Sequence, residues 1–391
     1  MLEIIVLNVG LGDSVVIKTQ DNSGCYYSLI DCKKIGESVP SIEFLKKNKI
    51  THLNTLFITH LHYDHISGLP DLANYLENED CTIDNIVIPN LPGDPGDWFF
   101  VLEYLYPDTL KTLRKSILES LNKLKNINVK NKADGIPTIL TMNFEGNTKP
   151  SAWRDHLHKK LDFVALSPNA IDSLAILRSA IKKSGDSGES FNSLCHVFIF
   201  RYYVDSIEYL FLFTGDLVGQ RNWRNVTNRC LSITNKSILN TLCFFKVSHH
   251  GAYQIGLKTC LEKIIAVYRP FLAAISCPAN NPKHPSEDTL KFFQNHFENC
   301  CIACTNVSAY CQDKLKSPQQ INPFLLSAQE ELFLDSIKAE KHTSINILQG
   351  VCADSFVYKI DRKGLHYLPG SGNSCILTNC EECFNLNKFT F

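Results

Sequence analysis

Thr59-His60-Leu61-His62-Tyr63-Asp64-His65 is the stretch on which both the fold and the chemistry of this chain turn. It packs three histidines and an aspartate into six residues, in a chain with 13 histidines in 391 positions, too dense a grouping for a surface loop assembled by chance. Ahead of it, Leu56-Phe57-Ile58-Thr59 is a short apolar run of β-forming residues and reads as a buried strand. Behind it, from Ile66 to Asn78, Leu69, Leu72, Tyr75 and Leu76 recur at helical spacing, and Pro70 sits where a first turn tolerates proline. The motif therefore occupies the loop between the C-terminal end of a strand and a helix. Such a loop turns His60 and His62 toward one point and Asp64 and His65 toward a neighbouring one. Imidazole and carboxylate suit zinc and similar first-row metals.

Working outward, three further apolar β-runs end in residues of the same chemical types. Residues 194–204 and 207–213 read as a hairpin that runs into Thr214-Gly215-Asp216-Leu217. Leu242 to Val247 opens into Ser248-His249-His250-Gly251. Phe271 to Ser276 leads through Cys277-Pro278 to His284-Pro285, and Ser286 caps a helix with Leu290, Phe293 and Phe297 on its inner face. A sandwich of two sheets flanked by helices would bring these loops to one edge. Upstream, residues 3–7 and 14–19 read as strands joined by Asn8-Val9-Gly10-Leu11-Gly12-Asp13, whose glycines allow a tight turn. A third strand, residues 26–30, ends in Asp31.

The pattern His-x-His-x-Asp-His resembles the signature of the metallo-β-lactamase superfamily. The opening through Gly12-Asp13 and Leu29-Ile30-Asp31 resembles one branch of it, the ComEC-like hydrolase domain of bacterial DNA-uptake proteins and its free-standing relatives. Leu11 stands where that branch usually has glutamine, and Cys32-Lys33 where a small residue and glycine are common. The resemblance covers residues 1–310. It implies an α+β protein, an αββα sandwich of two mixed β-sheets flanked by helices. It also implies a ligand set: His60 and His62 for one metal, Asp64 and His65 for a second, Asp216 bridging both, and His284 completing the second. Asp31 would orient a metal-bound histidine from behind, or is simply a turn residue that ends a strand.

The first metal lacks an obvious third histidine. Between the motif and Asp216 the sequence holds only His156 and His158, in a polar loop, and His196, within a strand. Where the ligand is expected, the chain reads Phe191-Asn192-Ser193-Leu194, as ComEC-like proteins do. Asn192 and Ser193 can hydrogen-bond a substrate oxygen but are poor zinc ligands. The pair His249-His250, before Gly251, resembles the His-His-Gly of the same branch. One of the two, His250 in preference, is expected to complete the first metal. Neighbours on an extended segment point apart, so His249 is then left to face the substrate.

Composition bounds the rest. A hydrophobic fraction of 44% and a charged fraction of 20% are those of a globular protein. No apolar run reaches the ~18 residues of a membrane span. Met1-Leu2-Glu3-Ile4 begins directly as a strand, so no export signal is expected. The 16 cysteines then read as buried thiols or metal ligands in a reducing cytoplasm. The net charge of −1 gives no global attraction to nucleic acid. A helical, basic insertion is expected over about 98–160, with Lys111, Arg114 and Lys115 on an outer stripe that could hold phosphates or be a solvated face. Residues 311–391 form a C-terminal extension. It carries a capping box at Ser327-Ala328-Gln329-Glu330, strands at Ile345–Leu348 and Ser355–Ile360 that could complete the core sheet, and a possible structural zinc site at Cys375, Cys380 and Cys383.

The expected function is a zinc-dependent hydrolase with two Zn2+ per chain, or Mn2+, holding a hydroxide between them as nucleophile. Asp64, His249 and His250 are the candidate catalytic residues. Phosphodiester bonds in nucleic acid or a nucleotide are the leading substrate class. A lactone, thioester, β-lactam or peptide is the alternative. Another alternative is a metal-binding component of a multiprotein bacterial defence system, docked to a protein partner through the C-terminal extension. No membrane partner is expected.

Overall fold

Strict alternation along the strands sorts this sequence into layers. In β1 (Leu2–Val6), Leu2, Ile4 and Val6 join one core and Ile5 joins another, because successive strand side chains face opposite sides of a sheet. The computed structural model describes residues 1–89, 102, 111–127, 138–142, 161–168, 192–204, 207–233, 240–252, 257–268, 272–278, 281, 283–296, 301–305, 356–361 and 364–368.

Two mixed sheets result. In the first, β1, β2 (Val15–Asp21) and β3 (Gly24–Ile30) are antiparallel neighbours. β4 (His52–Phe57), β5 (Thr82–Pro89) and β6 (Thr138–Met142) continue it in parallel. The second sheet begins with β7 (Leu161–Ser167), β8 (Val197–Val204) and β9 (Ile207–Phe213), which are antiparallel. β10 (Asn240–Lys246), β11 (Leu272–Ile275) and β12 (Cys301–Cys304) follow in parallel. Late in the chain, β13 (Phe356–Asp361) pairs antiparallel with β1, and β14 (Gly364–Leu368) pairs with β13. The first sheet thus has eight strands and the second six.

The sheets meet face to face through Leu2, Ile4, Val6, Phe57, Phe163, Phe198, Phe200, Phe211 and Phe213. Phe57 packs edge-on to Phe163, with ring centroids 5.0 Å apart, and lies 5.4 Å from both Phe198 and Phe200. Such aromatic pairs contribute about 0.5–1.5 kcal/mol each beyond their buried area. Helices cover the outer faces. α1 (Pro40–Lys47), α2 (Tyr63–Ile66), α3 (Leu69–Asn78) and α4 (Lys111–Asn126) place Ile42, Leu45, Ile66, Leu72, Leu76, Ile117 and Leu124 on the first sheet. α5 (Gln220–Ile233), α6 (Leu257–Tyr268) and α7 (Glu287–His296) place Trp223, Val226, Leu261, Ile264, Leu290 and Phe293 on the second. The architecture is an αββα sandwich of two mixed sheets flanked by helices, as the sequence leads one to expect.

Several boundaries move. The strand before the motif ends at Phe57, and the continuous helix expected from Ile66 is two helices. They part at Ser67-Gly68, where the Gly68 N–H donates to the Cys32 carbonyl at 2.8 Å and a Cβ would stand 2.9 Å from that oxygen. Pro70 then occupies the first turn of α3. Asp64 and His65 consequently sit on a helical turn, capped by His62, and not on an open loop. His156, His158, the region around Ser327, and Cys375, Cys380 and Cys383 lie outside the described residues. Among the described residues, no helix is long and apolar enough to cross a membrane.

Candidate metal centre

The C-terminal ends of parallel strands are where ligands gather in such sheets. Here β4 delivers His60, His62, Asp64 and His65, β9 delivers Asp216, and β10 delivers His249 and His250. The rings of His60 and His62 are 4.7 Å apart and those of His60 and His65 4.1 Å apart, centroid to centroid. Asp216 lies among them. Its Oδ1 is 3.3 Å from His65 Nε2, and its Oδ2 is 3.5 Å from His250 Nε2 and 3.9 Å from His60 Nε2. His250 Nε2 is also 3.2 Å from Asp64 Oδ2. Asp64, His65, Asp216 and His250 can therefore present four ligand atoms within 4.8 Å of one another.

The orientation of each ring follows from what holds its far side. Asp31 Oδ2 is 2.7 Å from His65 Nδ1, and its carboxylate also accepts the Thr59 N–H at 2.7 Å and the Thr59 hydroxyl at 2.6 Å. The Thr59 hydroxyl lies 3.1 Å from His60 Nδ1. Each ring is thereby held by Nδ1 and presents Nε2 to the cluster. The Nε2 atoms of His60, His62 and His65, and Asp216 Oδ1, are buried without a hydrogen-bond partner. The 3.3 Å approach of His65 Nε2 to Asp216 lacks the alignment of a bond. Buried polar atoms are rarely left so, and imidazoles held from behind around a carboxylate are a metal-ligand set. The residues present fit divalent metal.

Charge divides the cluster. Burial, then the neighbouring His65 and His62, push His60 well below the usual histidine range. Burial lowers His62 as well, against Asp64 and Asp216. Burial also works to lower His65 and His250, but carboxylates reverse it. Asp216 and Asp31 raise His65 well above its usual value, and Asp216, Asp64 and Asp13 raise His250 to about 9. Burial acts to raise Asp216, and His250 and His65 outweigh it, holding the carboxyl well below its usual range.

The structure places His250 differently from the sequence expectation. It stands with Asp64, His65 and Asp216, and not as the third histidine beside His60 and His62. The physical reason is the backbone. His249 and His250 are not extended: their φ angles are 51° and 52°, both left-handed, and Gly251 follows at 79°. The alternation that would point neighbouring rings apart does not apply to such a turn. It is fixed to the Asp216 loop, with the His249 N–H donating to the Gly215 carbonyl at 3.0 Å and the Ser248 hydroxyl to the Leu217 carbonyl at 2.8 Å. His249 stands next to His284, ring centroids 5.5 Å apart, and both are half-buried. His284 is outside the four-residue group, and its Nδ1 is buried without a partner. His196 is buried just before β8, where its N–H donates to the Thr59 carbonyl at 2.8 Å. Asn192 is buried with an unpartnered Oδ1, and Ser193 is half-buried beside it. Arg114 is a correction. It was expected on an exposed basic stripe with Lys111 and Lys115, but α4 turns it inward with Ile117 and Leu124. The apolar period of this helix includes position 114. Lys111 and Lys115 are exposed, and Lys115 pairs with Glu119 at 3.6 Å.

Sequence reasoning passed over three side chains that shape the centre. Asp13 and Lys246 form a buried ion pair at 2.8 Å, and the same Asp13 oxygen is 3.9 Å from His250 Nδ1. Cys195 Sγ accepts the Asp216 N–H at 3.1 Å and lies 3.5 Å from His60 Nδ1. The available signals were the Gly-x-Gly-Asp turn and a lysine closing an apolar strand. At Gly12 the chain crosses the motif so closely that a Cβ would lie 2.0 Å from the Asp64 carbonyl.

A family model described as the metallo-beta-lactamase superfamily matches residues 14–135. Two curated proteins named hydroxyacylglutathione hydrolase, from Legionella pneumophila strains Lens and Corby, are 48% and 46% identical to this chain over 44 residues. Each match covers 11% of this chain, and the chain spans only 17% of the length of either relative. Among solved structures, the metallo-beta-lactamase fold protein YhfI from Bacillus subtilis is 12% identical with a TM-score of 0.39, over 78% of this chain and 96% of that one. A diphosphatase of the PhnP family is 11% identical with a TM-score of 0.33, over 81% and 92%. The matched segment 14–135 contains the whole His60–His65 motif, and over those residues this chain is similar to the metallo-beta-lactamase superfamily.

Proposed function

We propose that this protein is a zinc-dependent, dinuclear hydrolase of phosphodiester bonds in nucleic acid or nucleotides, of the ComEC-like type. The observation that carries the reading is the convergence of the unpartnered Nε2 atoms of His60 and His65 on Asp216, with the His62 ring beside His60 and its own Nε2 buried and unpartnered. His60, His62 and Asp216 would hold one ion, and Asp64, His65, Asp216 and His250 the other. Divalent ions there would polarise the scissile group and make water nucleophilic near neutral pH. The protein's own part is orientation and proton control. Asp31 keeps the His65 Nδ1 engaged so that Nε2 faces the cluster, and Asp13 with Lys246 packs behind His250. His249 and His284 flank the cluster and would hydrogen-bond substrate oxygens, with Asn192 and Ser193 as further donors.

The phosphodiester assignment is supported by the resemblance of the 8–13, 29–31 and 249–251 segments to the ComEC-like branch, since these segments supply Asp13, Asp31 and His250 at the cluster. The test is metal analysis of the purified protein, followed by assay on single- and double-stranded DNA, RNA, bis-p-nitrophenyl phosphate and nitrocefin. About two zinc or manganese ions per chain and metal-dependent cleavage of a phosphodiester are expected, with nitrocefin untouched. Less than about one ion per chain would overturn the reading. A thioester hydrolase is the second reading, favoured by the 44-residue match to hydroxyacylglutathione hydrolase. S-lactoylglutathione in the same panel separates the two.

A further inference from the structure

Specificity depends on what surrounds the cluster. Among the described residues Leu11, Ile35 and Tyr63 are large hydrophobic side chains left exposed. Two of them adjoin residues of the centre along the chain. Tyr63 stands between His62 and Asp64 in the motif, and Leu11 precedes Gly12, whose backbone packs against the Asp64 carbonyl. Lys33 reaches over the same ground. Its Cγ lies 3.0 Å from the Cβ position of Gly12, and its Nζ lies 4.6 Å from the centroid of the Tyr63 ring.

Lys33 is half-buried, and among the described residues it forms no ion pair. The adjacent Lys34, by contrast, pairs with Asp71 at 3.1 Å and Glu37 at 3.5 Å. Burial depresses the Lys33 ammonium, and the charge of Asp64 opposes that effect. A partly desolvated cation fixed on an aromatic face, feeling the charge of Asp64 but in no ion pair among the described residues, is arranged to receive an anion.

We propose that Lys33, held over Tyr63, is the anion anchor of the substrate site, and that the substrate is a phosphate ester whose aromatic or nucleobase group lies against Tyr63 and Leu11. The substrate class rests on the phosphodiesterase reading above, whereas the anion anchor does not. Metal-loaded full-length protein is titrated calorimetrically with phenylphosphonate and methylphosphonate. Wild type should bind phenylphosphonate more tightly. Lys33→Gln should weaken both about tenfold, the scale of one charge-assisted bond, and Lys33→Arg should restore much of the loss. Tyr63→Leu should reduce the preference for the phenyl group. With bis-p-nitrophenyl phosphate, Lys33→Gln should raise KM about tenfold with little change in kcat, and it should leave the KM for neutral p-nitrophenyl acetate unaltered. Competition by thymidine 5′-monophosphate or by an oligothymidylate would each support the anchor and tells a nucleotide from a polymer.

Phosphonate affinity unchanged in Lys33→Gln, or absent in wild type, overturns the anchor even if phosphodiesters are hydrolysed. A fall in affinity without any phosphodiester hydrolysis keeps the anchor and removes the phosphodiesterase reading.

Discussion

The two halves of the cluster are made of the same residue types and prepared in opposite ways. His60 and His62 are buried or half-buried and pushed toward the neutral form. His65 and His250 are just as deeply buried and held as cations. The difference is a carboxylate in contact: Asp31 at 2.7 Å and Asp216 at 3.3 Å for His65, Asp64 at 3.2 Å and Asp216 at 3.5 Å for His250. Burial alone disfavours the charged ring, and a carboxylate at such a distance reverses the balance. For metal binding the consequence is direct. One half offers lone pairs at neutral pH, and the other must first release protons.

The sharpest way to break this division is to remove the group that both halves share. Asp216→Ala should lower hydrolysis by on the order of 10³-fold, the scale seen when a principal electrostatic group is deleted. Metal content should fall with it. Asp216→Asn keeps the shape and removes the charge, so it should lose nearly as much. The fold should survive, because Asp216 lies beyond the end of β9 and not in a sheet. Circular dichroism and elemental analysis on the same samples separate loss of metal from loss of structure. Full activity in Asp216→Ala would remove the two-metal mechanism.

Asp31 bonds one half directly and reaches the other only through the Thr59 hydroxyl, 3.1 Å from His60 Nδ1. Its carboxylate holds His65 and Thr59 and reaches no other imidazole by a hydrogen bond among the described residues. Asp31→Asn should therefore weaken one ion by about 10–100-fold, the usual cost of losing a ligand's supporting hydrogen bond, and affect the ion at His60 and His62 less. Stepwise zinc titration reads this as a widened gap between the two affinities. Equal weakening of both would mean that the halves do not act separately.

How much of this was legible in the sequence depends on how locally each part is determined. The motif, its strand and its helix are set by contiguous residues, and the alternation in β1, β8 and β9 marks both faces of each sheet. Asp216 and the His249-His250 pair were visible as polar residues after apolar runs. The position of His250 is not, because two successive non-glycine residues there are left-handed and the alternation of an extended segment does not hold. No local propensity marks that conformation, which is held by bonds to Gly215 and Leu217 from a loop over thirty residues upstream. Arg114 shows the converse. Charge suggested solvent, whereas the helical period that includes Ile117 and Leu124 pointed inward. Asp13 and Lys246 are 233 positions apart in sequence, 246 less 13, and only the folded sheets bring them to 2.8 Å.

The left-handed turn gives a third, smaller test. At Gly251 φ is 79°, and a Cβ there would lie 2.6 Å from Pro285 Cβ. Gly251→Ala should cost about 1–3 kcal/mol, the range for strain at such a backbone position. It should also displace His250 from Asp64 and Asp216, so the zinc affinity of the cationic half should fall with the melting temperature. A variant that melts earlier but binds both ions normally would show that the turn serves stability alone.

The smallest effect is counted in protons. His65 and His250 have folded-state pKa values raised above the unfolded value of about 6.5, His250 to about 9. A group raised in this way contributes stability that is fully present below its unfolded pKa and lost as pH rises through its folded one. The metal-free protein should thus lose stability between about pH 6.5 and about pH 9 through His250. Metal affinity should rise over the same window, because the ion replaces protons. At pH 7 both rings are charged before loading, whereas His60 and His62, lowered, carry no proton to release. Loading should therefore free about two protons per chain, read by calorimetry in buffers of different ionisation enthalpy. His60→Ala should leave that number unchanged, and His250→Ala should reduce it by about one. Proton release that is absent, or that disappears with His60, would place the charge on the wrong half of the cluster.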